Sequence, residues 1–173
     1  LSPNSDVKIN IEVLKRSQAK IKLQSLTLNT INKTLNPSED LENNKKYNYE
    51  ISGVLPSDIK HTNAYWLNKK GTLGMYNVED QNLIGLPETE RALQVNFSID
   101  FNGYSINFQK DVVYRYSKPD KGELYRPFEI IPEASAKILE KVIIFDTDNK
   151  KDIQVIVRAG RDNLEGFVQI AHP

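Results

Sequence analysis

Asp146, Asp148 and Asp152, in the segment FDTDNKKD, place three carboxylates at a spacing from which a calcium loop could draw hard oxygen ligands. The glycine that lets an EF-hand loop turn is absent, and Lys150 and Lys151 put positive charge where a cation would sit. The segment therefore reads as a hairpin turn carrying solvated charges, and no metal residue is assigned. His61 and His172 are the two histidines of the chain, and neither belongs to a spaced pair such as His-Glu-x-x-His. Both read as solvent-exposed side chains, and no histidine-centred catalysis follows. Glu88 with Glu90, and Glu79 with Asp80, could do general acid and base work, but sequence sets neither their separation nor their environment. Glycines 71, 74 and 85 lack the strand, helix and lysine context of a phosphate cradle, so nucleotide binding is not expected. The chain has no cysteine, hence no disulfide, thiolate metal site or cysteine nucleophile. These residues spell out no reaction: no catalytic residue, metal ligand or cofactor is expected in this chain.

Tyr65, Trp66 and Tyr76 remain as contact candidates, in the stretch YWLNKKGTLGMYNVEDQNLIGLPETERA over residues 65–92. Aromatic faces supply contact energy at low entropic cost, so the three rings could stack on a sugar or on a partner chain. The competing reading has Trp66, Leu67, Leu73 and Met75 anchoring a long loop from beneath as it crosses between two sheets. It is preferred, because the only tryptophan of a domain more often packs in a core than binds a ligand. Gly71, Gly74 and Gly85 then serve tight turns. If the Trp66 ring is buried, Trp66→Ala is expected to cost roughly 3 to 5 kcal/mol.

The elements that must position these residues read as strands. Val7, Ile9, Ile11 and Val13 alternate with polar residues, and Tyr47, Tyr49 and Ile51 do the same. Ile21 and Leu23 keep one parity while Leu26 and Leu28 take the other, which one extra residue near Gln24 and Ser25 would reconcile as a β-bulge. Residues 30–46 read as a surface connection. In LQVNFSIDFNGYSINF, residues 93–108, two alternating runs flank Asn102-Gly103, the pair favoured in a type I′ hairpin turn. A two-residue turn sets Phe101 opposite Tyr104, Ile99 opposite Ile106 and Phe97 opposite Phe108, all on one face, with polar pairs on the other. Val112, Tyr114 and Tyr116 continue the alternation. SKPDKGELYRP reads as a turn-rich link, Phe128 and Ile130 as a short strand. Further strands are expected in the run Ile138 to Phe145, around Ile153, Val155 and Val157, and at Val168 and Ile170, separated by a turn at AGRDN. Residues 134–141 have a helix-compatible composition, but the following VIIF favours strand.

Short strands at regular spacing with little helix predict an all-β, antiparallel, immunoglobulin-like β-sandwich over residues 1–133, followed by part of a second β unit, residues 134–173, either the opening strands of a second sandwich or strands docked on the first. The 173 residues suffice for a real core, and the 23 basic and 23 acidic side chains cancel. No global field then gathers nucleic acid or anionic membrane, and no apolar run approaches a membrane span. The opening LSPNSDVKINIEV lacks signal-peptide features and enters a strand within a few residues, which suggests a fragment of a longer protein.

YWLNKKGTLGMYNVEDQNLIGLPETERA, followed by VVYRYSKPDKGELYRPFEIIP and IQVIVRAGRDNLEGFVQI, resembles the accessory β-domains of bacterial LmbE/PIG-L-like N-acetylglucosaminyl deacetylase family proteins. The likeness is strongest from Tyr65 to Pro132 and from Val157 to Gly166. It implies a zinc-dependent catalytic domain elsewhere in the same polypeptide, as the partner of this module. It also implies an extracytoplasmic location, periplasmic or at the cell surface or secreted, in Bacteroidetes-type bacteria. The family's His-Pro-Asp-Asp signature is missing. Ala171 to Pro173 mimics its opening, but no acid pair follows, so no catalytic or metal residue carries over. The expected function is a non-catalytic accessory module that positions or stabilises the enzyme or aids glycan contact. The alternative is an independent carbohydrate-binding or adhesion module with Tyr65, Trp66 and Tyr76 as its platform.

Overall fold

The structure is a computed structural model that describes residues 1–140, 142–144 and 151–169. The chain is all-β, its strands pair antiparallel, and the arrangement is sandwich-like. Strands β1 (Asp6–Leu14) and β5 (Lys46–Val54) form one layer. The second layer runs in the order β3 (Lys33–Leu35), β2 (Ile21–Leu28), β6 (Gln94–Phe101), β7 (Tyr104–Asp111), with β4 (Glu39–Asp40) also on β2. Val7, Ile9 and Ile11 of β1 and Tyr47 and Ile51 of β5 join Leu23, Leu26 and Leu28 of β2 and Val95 of β6 in one buried cluster. Period-2 alternation puts these apolar residues inside while Lys8 and Glu50, cross-strand neighbours on β1 and β5, form an ion pair outside at 2.7 Å.

The bulge stands where the parity switch in the sequence required it. Leu23 pairs with Ile99 and Ser25 with Ser98, which leaves Gln24 as the extra residue. Its amide oxygen accepts from the Ser98 hydroxyl at 3.1 Å. The insertion lets Leu23 and Leu26 both face the core at 0% exposure, which an unbroken period of two forbids. The β6–β7 hairpin has the expected register, with Asn102 and Gly103 at φ of 52° and 88°.

Several expectations are corrected. Residues 30–46 are more than a surface connection: they hold a 3-10 turn at Asn29–Ile31 and the short strands β3 and β4, which supply the second edge of β2 with backbone partners. The buried phenol of Tyr47 closes this end of the sandwich by donating to the Asp40 carbonyl at 3.2 Å and accepting from the Glu42 N–H at 3.0 Å. Next to it, burial and then the hydrogen bond to the Glu39 carboxylate hold the Tyr49 phenol well above its ordinary range.

The second correction concerns SKPDKGELYRP. It is not a link. Residues on either side of its turn pair as a hairpin of β8 (Val113–Lys118) and β9 (Gly122–Pro127), with Gly122 at φ 70°. The proline and aspartate interrupt the chain only at the reversal, so strand resumes at once. Phe128 and Ile130, expected as a strand, lie instead in irregular backbone, where Ile130 is tied to Thr62 and only 1% exposed. Downstream, β10 (Ala134–Ile138) pairs with β11 (Val155–Ala159). The strand in Ile138 to Phe145 thus lies earlier than expected, Phe145 and Ile170 are outside the described residues, and Val168 is not in a strand.

Candidate functional site

The long segment after β5 is closed by its own polar contacts. Thr89 Oγ1 donates to the Asn63 carbonyl at 2.6 Å and accepts from the Tyr65 N–H at 3.1 Å, while the Tyr65 hydroxyl donates to the Leu86 carbonyl at 3.2 Å. Backbone bonds between Thr72 and Met75 close a turn with Gly74 at φ 84°, and Gly85 turns at φ 94°. Trp66 is half-buried in a 3-10 turn and meets Tyr65 edge to face, with ring centroids 4.8 Å apart and planes at 87°. Tyr76 is exposed and belongs to no aromatic pair among the described residues. The structure thus brings Tyr65 and Trp66 together, leaves Tyr76 apart, and gives them no coplanar surface.

The expectation that Trp66, Leu67, Leu73 and Met75 pack beneath the loop is corrected. Leu67, Leu73 and Met75 are all exposed, Leu73 fully, because hydrogen bonds within the loop replace an apolar anchor. The condition for a 3 to 5 kcal/mol loss is therefore not met. Trp66→Ala is expected to lower the unfolding free energy by only about 1 to 2 kcal/mol, the value of partly burying one large ring. Urea titration checks this, and a loss above that range would place the ring in the core.

Three of the four paired acids are engaged in structural contacts. Glu79 pairs with Lys69, Asp80 caps the next turn by accepting from the Asn82 N–H at 3.0 Å, and Glu88 pairs with Arg91. Glu88, Glu90 and Arg91 line a shallow open groove with Gln94 and Asp111, too open to strip water from a substrate. His61 and Asp152 are exposed, while Asp146, Asp148 and His172 lie outside the described residues. Among the described residues no three His, Cys, Asp or Glu side chains converge.

What stands out is an apolar face that the smaller layer does not cover. Rows of side chains run across the larger sheet: Leu23, Ile99, Ile106; Leu26, Phe97, Phe108; Ile21, Phe101, Tyr104. In the second row Leu26 is 0% exposed, Phe97 is half-buried, and Phe108 on β7 is 45% exposed. Ile106 at 43% and Tyr104 at 76% end the other two rows in the same way. Phe97 and Phe108 stack at 4.9 Å with planes 4° apart, so the row continues from the half-buried ring to the exposed one. β7 is the end strand of its sheet among the described residues, which adds a free backbone edge. The hairpin register expected from the sequence puts Phe97, Ile99, Phe101, Tyr104, Ile106 and Phe108 on this one face. Their exposure had no local signal, because it depends on how far the opposite layer extends.

Comparison of the chain with protein-family models, with curated proteins and with solved structures finds no match.

Proposed function

We propose that this chain is a non-catalytic accessory β-sandwich module of a larger polypeptide, and that it docks the open face of β6 and β7 against a neighbouring folded unit. One observation carries the reading: the two rows that begin at 0% exposure on β2, at Leu23 and Leu26, continue through apolar side chains into solvent on β7, at Ile106 and Phe108. Contiguous exposed apolar surface of this kind marks an interaction site, and an open strand edge beside it can add backbone hydrogen bonds. The neighbour we propose is an LmbE/PIG-L-like deacetylase domain in an extracytoplasmic bacterial protein, on the sequence resemblance described above. A carbohydrate platform built from Tyr65, Trp66 and Tyr76 has less support, since the rings are not coplanar.

The test joins the chain to the folded unit encoded beside it in its own reading frame. Amide exchange along β7 is expected to slow in the joined protein relative to the isolated chain, and Ile106→Lys is expected to restore fast exchange. Equal exchange in both proteins overturns the docking reading. A neighbour without a His-Pro-Asp-Asp signature overturns the choice of partner.

A further inference from the structure

The β8–β9 hairpin has two faces with opposite chemistry. On one face Arg115 pairs with Glu123 at 3.5 Å and Tyr125 donates to the same carboxylate, so these three groups satisfy one another. On the other face Tyr114 lies opposite Arg126 and Tyr116 opposite Leu124. The two tyrosine rings stack at 5.8 Å with planes 24° apart, and the Arg126 guanidinium sits 4.6 Å from the Tyr114 ring centre. Among the described residues, neither Arg126 nor Lys118 has a carboxylate within ion-pair distance, and neither the Tyr114 nor the Tyr116 hydroxyl has a hydrogen-bond partner. The unspent groups of this face are two cations and two phenols, with no acid among them.

We propose that this face of the hairpin binds an acidic polysaccharide, a polymer of uronate sugars, with Arg126 as its carboxylate clamp. A guanidinium laid on an aromatic ring is held in place while its in-plane N–H donors stay free for a bidentate carboxylate. Tyr114, Tyr116 and Lys118 follow at period two along one face of β8, a row of donors about 13 Å long. That length suits a few sugar units of an extended chain, whose hydroxyl and carboxylate oxygens are acceptors along its whole length. Single-stranded nucleic acid fits less well, because bases stack on open ring faces and the Tyr114 ring already carries Arg126 and Tyr116. The site is separate from the open face of β7 and stands whether or not that face docks.

Affinity electrophoresis of the full chain through gels containing alginate, dextran, poly-glutamate or oligothymidylate tests the assignment. Alginate is expected to retard the protein, less so as salt rises, and neutral dextran is expected to have no effect. Arg126→Gln should weaken retardation roughly tenfold, as loss of one charge-assisted clamp does. Tyr114→Ala should weaken it too, while Arg115→Gln on the opposite face leaves it unchanged. Circular dichroism melting curves of each variant separate lost binding from lost folding. Wild-type protein that passes alginate freely, retardation by dextran, poly-glutamate or oligothymidylate equal to that by alginate, or full retention by a folded Arg126→Gln variant would each overturn the proposal.

Discussion

Replacing Leu26 by alanine is expected to remove about 3 to 5 kcal/mol of unfolding free energy, the upper part of the range for buried leucines that cannot be repacked. Leu26 is 0% exposed and lies one residue past the point where β2 changes parity. It is flanked on one side by Leu35 of β3 and on the other by Phe97 of β6, so both neighbouring strands hold the void open. Relaxation into that void would have to move the bulge at Gln24, which is fixed by the Ser98 hydroxyl. Leu73→Ala is the internal control: its side chain is fully exposed, and a change within about 0.5 kcal/mol is expected. Urea denaturation followed by tryptophan fluorescence measures both. Equal effects at the two positions would show that the cluster around β2 is not the core of the fold.

The same pair of leucines shows what local pattern can and cannot carry. The parity switch from Leu23 to Leu26 is a statement about one strand with one buried face, so the bulge and the burial were both readable from residue order. Asn102-Gly103 and its flanking alternation were readable for a related reason, since turn geometry and side-chain pattern independently require one register. Leu73 and Met75 carry no such pattern. Their apolar character suggested burial, but Thr89 and Tyr65 close the loop with hydrogen bonds and leave both side chains in water. β9 was hidden by a different effect: Lys-Pro-Asp-Lys-Gly signals a reversal, and the strand that follows holds only short apolar spacing in Leu124 and Tyr125. The candidate site divides along the same line. Hairpin arithmetic named Phe101, Tyr104, Ile106 and Phe108 as one face, whereas the width of the opposing β1–β5 layer, a tertiary property, decides that this face is open. The aromatic and cationic face of β8 has no signal in either strand's sequence alone, because Arg126 meets Tyr114 only through their pairing.

Ile130→Ala is expected to cost about 2 to 4 kcal/mol, although Ile130 belongs to no strand. It is 1% exposed and joins the core cluster between the two layers. Its backbone is held on both sides: its N–H donates to Thr62 Oγ1 at 2.9 Å, and its carbonyl accepts from the Thr62 N–H at 2.9 Å. The next residue, Ile131, donates its N–H to the Leu1 carbonyl at 2.8 Å, so the chain leaving the β8–β9 hairpin is tied to both the long loop and the amino terminus. Alanine removes the side chain that gives this staple its purpose, and the hydrogen bonds alone contribute about 1 kcal/mol each. Thr62→Val tests the other half, since it deletes the hydroxyl acceptor without changing the shape at Thr62 much, and should cost about 1 to 2 kcal/mol. The two substitutions act on one contact, so their combined effect should fall short of the sum. Additive losses in that double-mutant cycle would mean that Ile130 is buried by the sandwich alone and that the strap plays no part in holding it there.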